Sequence, residues 1–180
     1  MRASSRVVPE TFMWRRIGLI ALLLAAGFLT IVPAGQGSTG APRQCQASQF
    51  ELSPGPSAAA LSHYRQTVRL RNVSHTKCAM SGWFKVRLLS ASGSVLSSHE
   101  QQITSDMFGT SPKPTVVVAP GGRASFAIDT RAPATSCPYS TSVAVTPPGG
   151  HGSMSLNLAV LACPKFWVLP VQRGNKAIHP

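Results

Sequence analysis

The sequence predicts an all-β chain, an antiparallel β-sandwich preceded by an N-terminal signal or anchor helix. Three observations carry that expectation. Short segments between residues 48 and 171 alternate apolar and polar side chains, the period of a strand with one buried face. Turn signals recur between them, as at Pro54-Gly55-Pro56, Pro120-Gly121-Gly122 and Pro147-Pro148-Gly149-Gly150, and many short strands at such spacing indicate a sandwich or barrel. Four cysteines, Cys45, Cys78, Cys137 and Cys163, all follow a single apolar run near the N-terminus.

That run, residues 17–32 (IGLIALLLAAGFLTIV), is flanked by Arg2, Arg6, Arg15 and Arg16 and followed by small residues. This is the order of a secretory signal. Its 16 residues span about 24 Å as a helix, short of a hydrocarbon core of about 30 Å. Pro33 and Ala34 bring it near the limit, so a cleaved signal peptide and a retained signal anchor both stand. The expected organisation is a signal or anchor at 1–35, a flexible Gly/Ser/Pro-rich linker at 36–44, a β-sandwich at 45–174 and a tail at 175–180. The expected location is exported: extracellular, in the cell wall, or on the outer face of the plasma membrane.

Within the domain, Phe50 and Leu52 share one face of a first strand, and residues 57–62 fit either a helical turn or a loop. Residues 65–72 alternate strictly: Gln66, Val68 and Leu70 point one way, and Arg65, Thr67, Arg69 and Arg71 the other. Asn72-Val73-Ser74 ends that strand, because short polar side chains bond their own backbone at turns. It also matches a glycosylation acceptor, but the turn explains it without modification. The next strand, 83–90, points Phe84, Val86 and Leu88 inward and Lys85 and Arg87 outward. Residues 101–114 carry two prolines and no period, and are expected as a loop. Strands then follow at 115–119, 123–130, 142–146, 154–161 and 166–171, and the remaining tail is expected to fray.

An even cysteine count in an exported domain predicts two disulfides. Three pairings are open. If first and last strands lie together and run parallel, Cys45 meets Cys163 and leaves Cys78 for Cys137.

The formal charge is +12; removing residues 1–44 takes away a net four positive charges and leaves +8. A basic exported domain favours anionic surfaces, here anionic lipid or a cell-wall polymer. Nucleic acid is not expected outside the cell. Membrane contact is expected only through the N-terminal segment, if uncleaved.

An ordered set of features resembles one family: Asn72-x-Ser74, Cys78, Gly82-(x)3-Val86-x-Leu88-Leu89, Ala119-Pro120-Gly121-Gly122, the isolated Cys137, Val145-x-Pro147-Pro148-Gly149, and Cys163 before a short apolar strand. It is similar to the actinobacterial secreted domain of unknown function 4232, over about residues 45–174. The resemblance implies an exported, immunoglobulin-like β-sandwich with no established activity. The chain departs from the family pattern at Trp83-Phe84 and Ser90.

No Gly-x-Ser-x-Gly elbow is present, and the histidines and the few acids are far apart in sequence. No catalytic residue, metal ligand or cofactor is therefore assigned. The functional lead is a cationic face: Arg65, Arg69 and Arg71 on one strand and Lys85 and Arg87 on the next. If the two strands are neighbours, five cations share a surface, and a bound anion relieves their repulsion. The expected function is a non-enzymatic envelope binding or adhesion module. The alternatives are a small exported hydrolase and a structural accessory domain contacting another envelope protein.

Overall fold

The computed structural model describes residues 40–132 and 136–177. The expected signal or anchor at 1–35 lies outside these residues. Among the described residues, no helix is long and apolar enough to cross a membrane.

The described chain is built from strands. They are β1 (Arg43–Gln44), β2 (Phe50–Ala60), β3 (His63–Asn72), β4 (Cys78–Ser81), β5 (Lys85–Leu89), β6 (His99–Gln102) and β7 (Ser105–Asp106). Then come β8 (Gly109–Thr110), β9 (Thr115–Val118), β10 (Arg123–Arg131), β11 (Ser142–Thr146), β12 (Met154–Asn157), β13 (Lys165–Val168) and β14 (Gln172–Arg173). One turn of 3-10 helix, Ala47–Gln49, precedes β2.

The largest sheet has the order β2-β3-β10-β13-β6, with β14 also paired to β10. A second sheet has the order β12-β11-β5, a third β1-β4-β9, and β7 and β8 form a small ribbon. The sheets enclose a common core. Val68 and Leu70 of β3, Phe126 and Ile128 of β10, and Phe166 and Val168 of β13 come from the large sheet. Val86 and Leu88 of β5, Val143 and Val145 of β11, and Val116 and Val118 of β9 come from the others. At the centre Phe84 stacks on Phe126 with centroids 4.4 Å apart. Alternate residues of each strand supply this core, as the pleat requires. The arrangement is all-β and consistent with a sandwich.

Several expectations are corrected. The ladders are not all antiparallel: β1 runs parallel to β4, and β6 parallel to β13. Residues 57–60 are neither helix nor loop but the second half of β2, which continues past Pro54 and Pro56 through a register shift. An edge strand tolerates proline because its outward N–H groups have no ladder partner to lose. The expected loop 101–114 contributes part of β6 and the β7–β8 ribbon. The tail does not simply fray, since β14 pairs with β10 and Ala177 is buried.

The disulfides are Cys45–Cys78 and Cys137–Cys163, with Cα atoms 4.8 and 5.1 Å apart. This overturns the Cys45–Cys163 and Cys78–Cys137 pairing. The first strand lies beside β4 rather than the last strand: Arg43 sits opposite Cys78, and the Cys45 N–H donates to Ala79 O at 3.0 Å. The second pair is aligned by the bridge between Tyr139 and Leu161 and by the Ala162 N–H, which donates to Pro138 O at 2.8 Å.

Asn72 is buried at the end of β3. Its Nδ2 donates to Thr76 O at 2.9 Å and Val118 O at 3.1 Å, and its Oδ1 accepts from the Ser74 N–H and hydroxyl. The side chain therefore pins the turn, and the amide nitrogen a glycan needs is enclosed.

Candidate anion-binding site

Topology decides what becomes of the cationic face. β3 and β5 belong to different sheets. Lys85 and Arg87 are exposed on β5, opposite Thr146 and Ala144 of β11. Arg65, Arg69 and Arg71 lie on β3 in the large sheet. The five-residue surface of Arg65, Arg69, Arg71, Lys85 and Arg87 is thus corrected: the strands follow one another in sequence but not in space, because β4 and its crossover intervene.

Arg65 leaves the set for a second reason. It is buried, and its guanidinium is taken by Asp106 of β7. Nε donates to Oδ2 at 2.9 Å, Nη2 donates to Oδ1, and the Phe108 ring lies 4.7 Å away over the guanidinium. A bidentate pair of this kind holds both charges in fixed geometry. The β7–β8 ribbon therefore covers this part of the sheet and neutralises the cation.

What remains is enlarged from an unforeseen direction. β10 is the other neighbour of β3, and its register places Arg123 opposite Arg71 and Ser125 opposite Arg69. On the other side, β2 places Glu51 opposite Arg71 and Ser53 opposite Arg69. Glu51, Ser53, Arg69, Leu70, Arg71 and Arg123 line one open pocket of about 230 Å³. Among the described residues, the ion pairs are Arg65–Asp106 and His63–Asp129. Neither engages Arg69, Arg71 or Arg123. Arg71 and Arg123 are exposed, while the Nε of half-buried Arg69 is enclosed without a hydrogen-bond partner.

Two directly opposed arginines repel across a ladder. A third cation with an unsatisfied donor adds to the local positive potential, and Glu51 offsets only part of it. The guanidinium fork matches carboxylate and phosphate oxygens bidentately. Arg123 opens the strand expected at 123–130. What the sequence lacked was the adjacency of β10 to β3.

The sequence also separated His63 and Asp129, which the structure joins: His63 Nδ1 lies 3.0 Å from Asp129 Oδ2. Burial raises the pKa of the Asp129 carboxyl, and the His63 hydrogen bond works against that rise. The His63 ring also stacks on Trp167 at 5.9 Å. Among the described residues, no serine, threonine or cysteine side chain bonds to His63, and no cluster of three or more His, Cys, Asp or Glu has a metal-binding arrangement. Trp83 is half-buried, donating to Ile103 O at 2.9 Å beneath the Lys113 ammonium.

Compared with known families, residues 45–172 match the model described as Domain of unknown function (DUF4232). The chain belongs to this family. The matched segment begins at the first disulfide cysteine and ends on β14, so the DUF4232 domain contains both disulfides and the arginine pocket. The comparisons with curated proteins and with solved structures returned no match. The two disulfides of the DUF4232 domain indicate an oxidising, extracytoplasmic environment.

Proposed function

We propose that this DUF4232 protein is an exported, non-enzymatic binding module of an actinobacterial cell envelope. Its domain, an immunoglobulin-like sandwich, holds an anionic group of that envelope in the pocket formed by Arg69, Arg71 and Arg123. The ligand class is a phosphate- or carboxylate-bearing lipid or wall polymer. The observation that carries this reading is that Arg69, Arg71 and Arg123 line one pocket in which Glu51 is the one acidic lining residue, and that among the described residues none of the three arginines is in an ion pair. Such an arrangement is unfavourable in isolation and is relieved by an anion.

The test is retention of the full-length oxidised chain on immobilised inorganic polyphosphate. Retention is expected at low ionic strength and lost as salt screens the charges. Combining Arg71→Glu with Arg123→Glu should abolish it. Unchanged retention of that variant sinks the reading.

A further inference from the structure

The arginine pocket also holds a negative group, and its position narrows the ligand. Three strands deliver the lining in rows. Glu51 of β2, Arg71 of β3 and Arg123 of β10 stand opposite one another in the first row. Ser53, Arg69 and Ser125 form the second. Residues directly opposite in a ladder share a face, and so do residues two apart along a strand. Both rows therefore lie on one face of the large sheet. Ser125 is buried there, its hydroxyl accepting from the Ala177 N–H at 3.2 Å. The other five residues line the pocket.

The charges are unevenly placed within it. Adjacent strands lie about 4.8 Å apart, which sets Glu51 one strand from Arg71 and two from Arg123. The carboxylate thus stands on the β2 rim, and the cations at the centre and on the β10 side. Opposite charges facing each other across a ladder attract, yet this pair is not closed. Glu51 and Arg71 are both exposed on the same open volume, and among the described residues Glu51 takes part in no ion pair.

Arg69 is held more firmly than its neighbours. The backbone of Gly55, at the register shift of β2, packs on its stem. A Cβ at residue 55 would lie 2.8 Å from Thr67 Cβ and 3.3 Å from Arg69 Cγ. The enclosed Arg69 Nε has no hydrogen-bond partner. A donor already fixed in place loses little freedom when a ligand binds.

We propose that the pocket selects a phosphate ester carrying a primary ammonium two carbons away, as in a phosphoethanolamine group. Arg69, Arg71 and Arg123 hold the phosphate, and Glu51 holds the ammonium. This rests on the anion-binding reading above and narrows it. Guanidinium forks match phosphate oxygens, but a phosphate alone also meets the like charge of Glu51. The ammonium turns that repulsion into an attraction. A group that penalises the wrong ligand is a source of specificity. A two-carbon linker spans roughly the spacing of neighbouring strands, so both ends reach their partners together.

The test is calorimetric titration of the full-length oxidised chain at low ionic strength. The ligands are glycerophosphoethanolamine and glycerophosphoglycerol, a diester without the ammonium. The first should bind about fivefold more tightly, the scale of one exposed ion pair. Glu51→Gln should remove that preference and Glu51→Lys should reverse it, with polyphosphate retention kept in both. Glu51 is exposed on an edge strand, so neither change disturbs the core. Combining Arg71→Glu with Arg123→Glu should lose both diesters. Flotation with phosphatidylcholine vesicles, with and without phosphatidylethanolamine, separates the sources. Capture by the second kind alone assigns a lipid headgroup, and diester binding without capture assigns a soluble or polymer-borne group. Three results overturn the inference while a chain that retains polyphosphate leaves the anion-binding reading standing: equal affinity for the two diesters, a preference that survives Glu51→Gln, and no binding of either diester. A parent chain that retains neither polyphosphate nor a diester overturns both.

Discussion

Asn72 shows how much one side chain can hold. Its buried side-chain amide serves two carbonyls, that of Val118 in a fully buried setting, and its oxygen serves Ser74 at the half-buried turn. Asn72→Ala strands the buried Val118 carbonyl and strips the turn at Ser74 and Thr76 of its anchor. The expected loss is about 2–4 kcal/mol, since each stranded buried polar group costs roughly 1–3 kcal/mol; urea denaturation reads it directly. Asp129 is the opposite case, with one oxygen paired to His63 and the other, Oδ1, unpartnered. Its pKa is raised, chiefly by burial. The folded state therefore holds the proton more tightly than the unfolded chain. The stability this contributes is full below the ordinary aspartate range and is lost as pH rises through the raised value. Asp129→Asn removes the titration. The melting temperature of the variant minus that of the parent should therefore increase as pH rises through this window, and a pH-independent difference contradicts the account.

At the scale of elements, strands with one wet face were legible. Val68, Leu70, Val86, Leu88, Val143 and Val145 alternate in the sequence and lie in the core. β2 was only half legible, because Pro54-Gly55-Pro56 resembles a stop and is in fact a guarded edge with a register shift. β4 was hidden because it is four residues long and opens on Cys78, directly after turn residues. The same strand decides the disulfides, since its parallel partner is β1. Proteolysis without reduction should release linked peptides containing Cys45 with Cys78 and Cys137 with Cys163. A Cys45–Cys163 peptide would show that β1 does not lie where the ladder places it. The bridges close spans of 33 and 26 residues, for which chain-entropy arguments give roughly 3–4 kcal/mol each. Separate serine replacements should therefore cost similar stability.

At the scale of the molecule, charge is partitioned by the sheets. Lys85 and Arg87 decorate one sheet, and Arg69, Arg71 and Arg123 converge on another. Combining Lys85→Glu with Arg87→Glu changes the net charge as much as reversing Arg71 and Arg123. It should nevertheless retain most of the polyphosphate binding at moderate salt. Equal loss in the two pairs would mean that net charge, and not the pocket, sets retention. The sequence by itself determined the all-β class, the two-disulfide composition, the basic surplus and the outward direction of Arg69 and Arg71. These follow from composition and from the two-residue period of the pleat, which are local properties. The tertiary structure alone decided that β3 neighbours β10 and not β5, that Asp106 neutralises Arg65, that Arg123 joins Arg71, and which cysteines meet. Strand adjacency is set by burying a shared core among segments distant in the chain, and no local pattern encodes which edges that packing brings together.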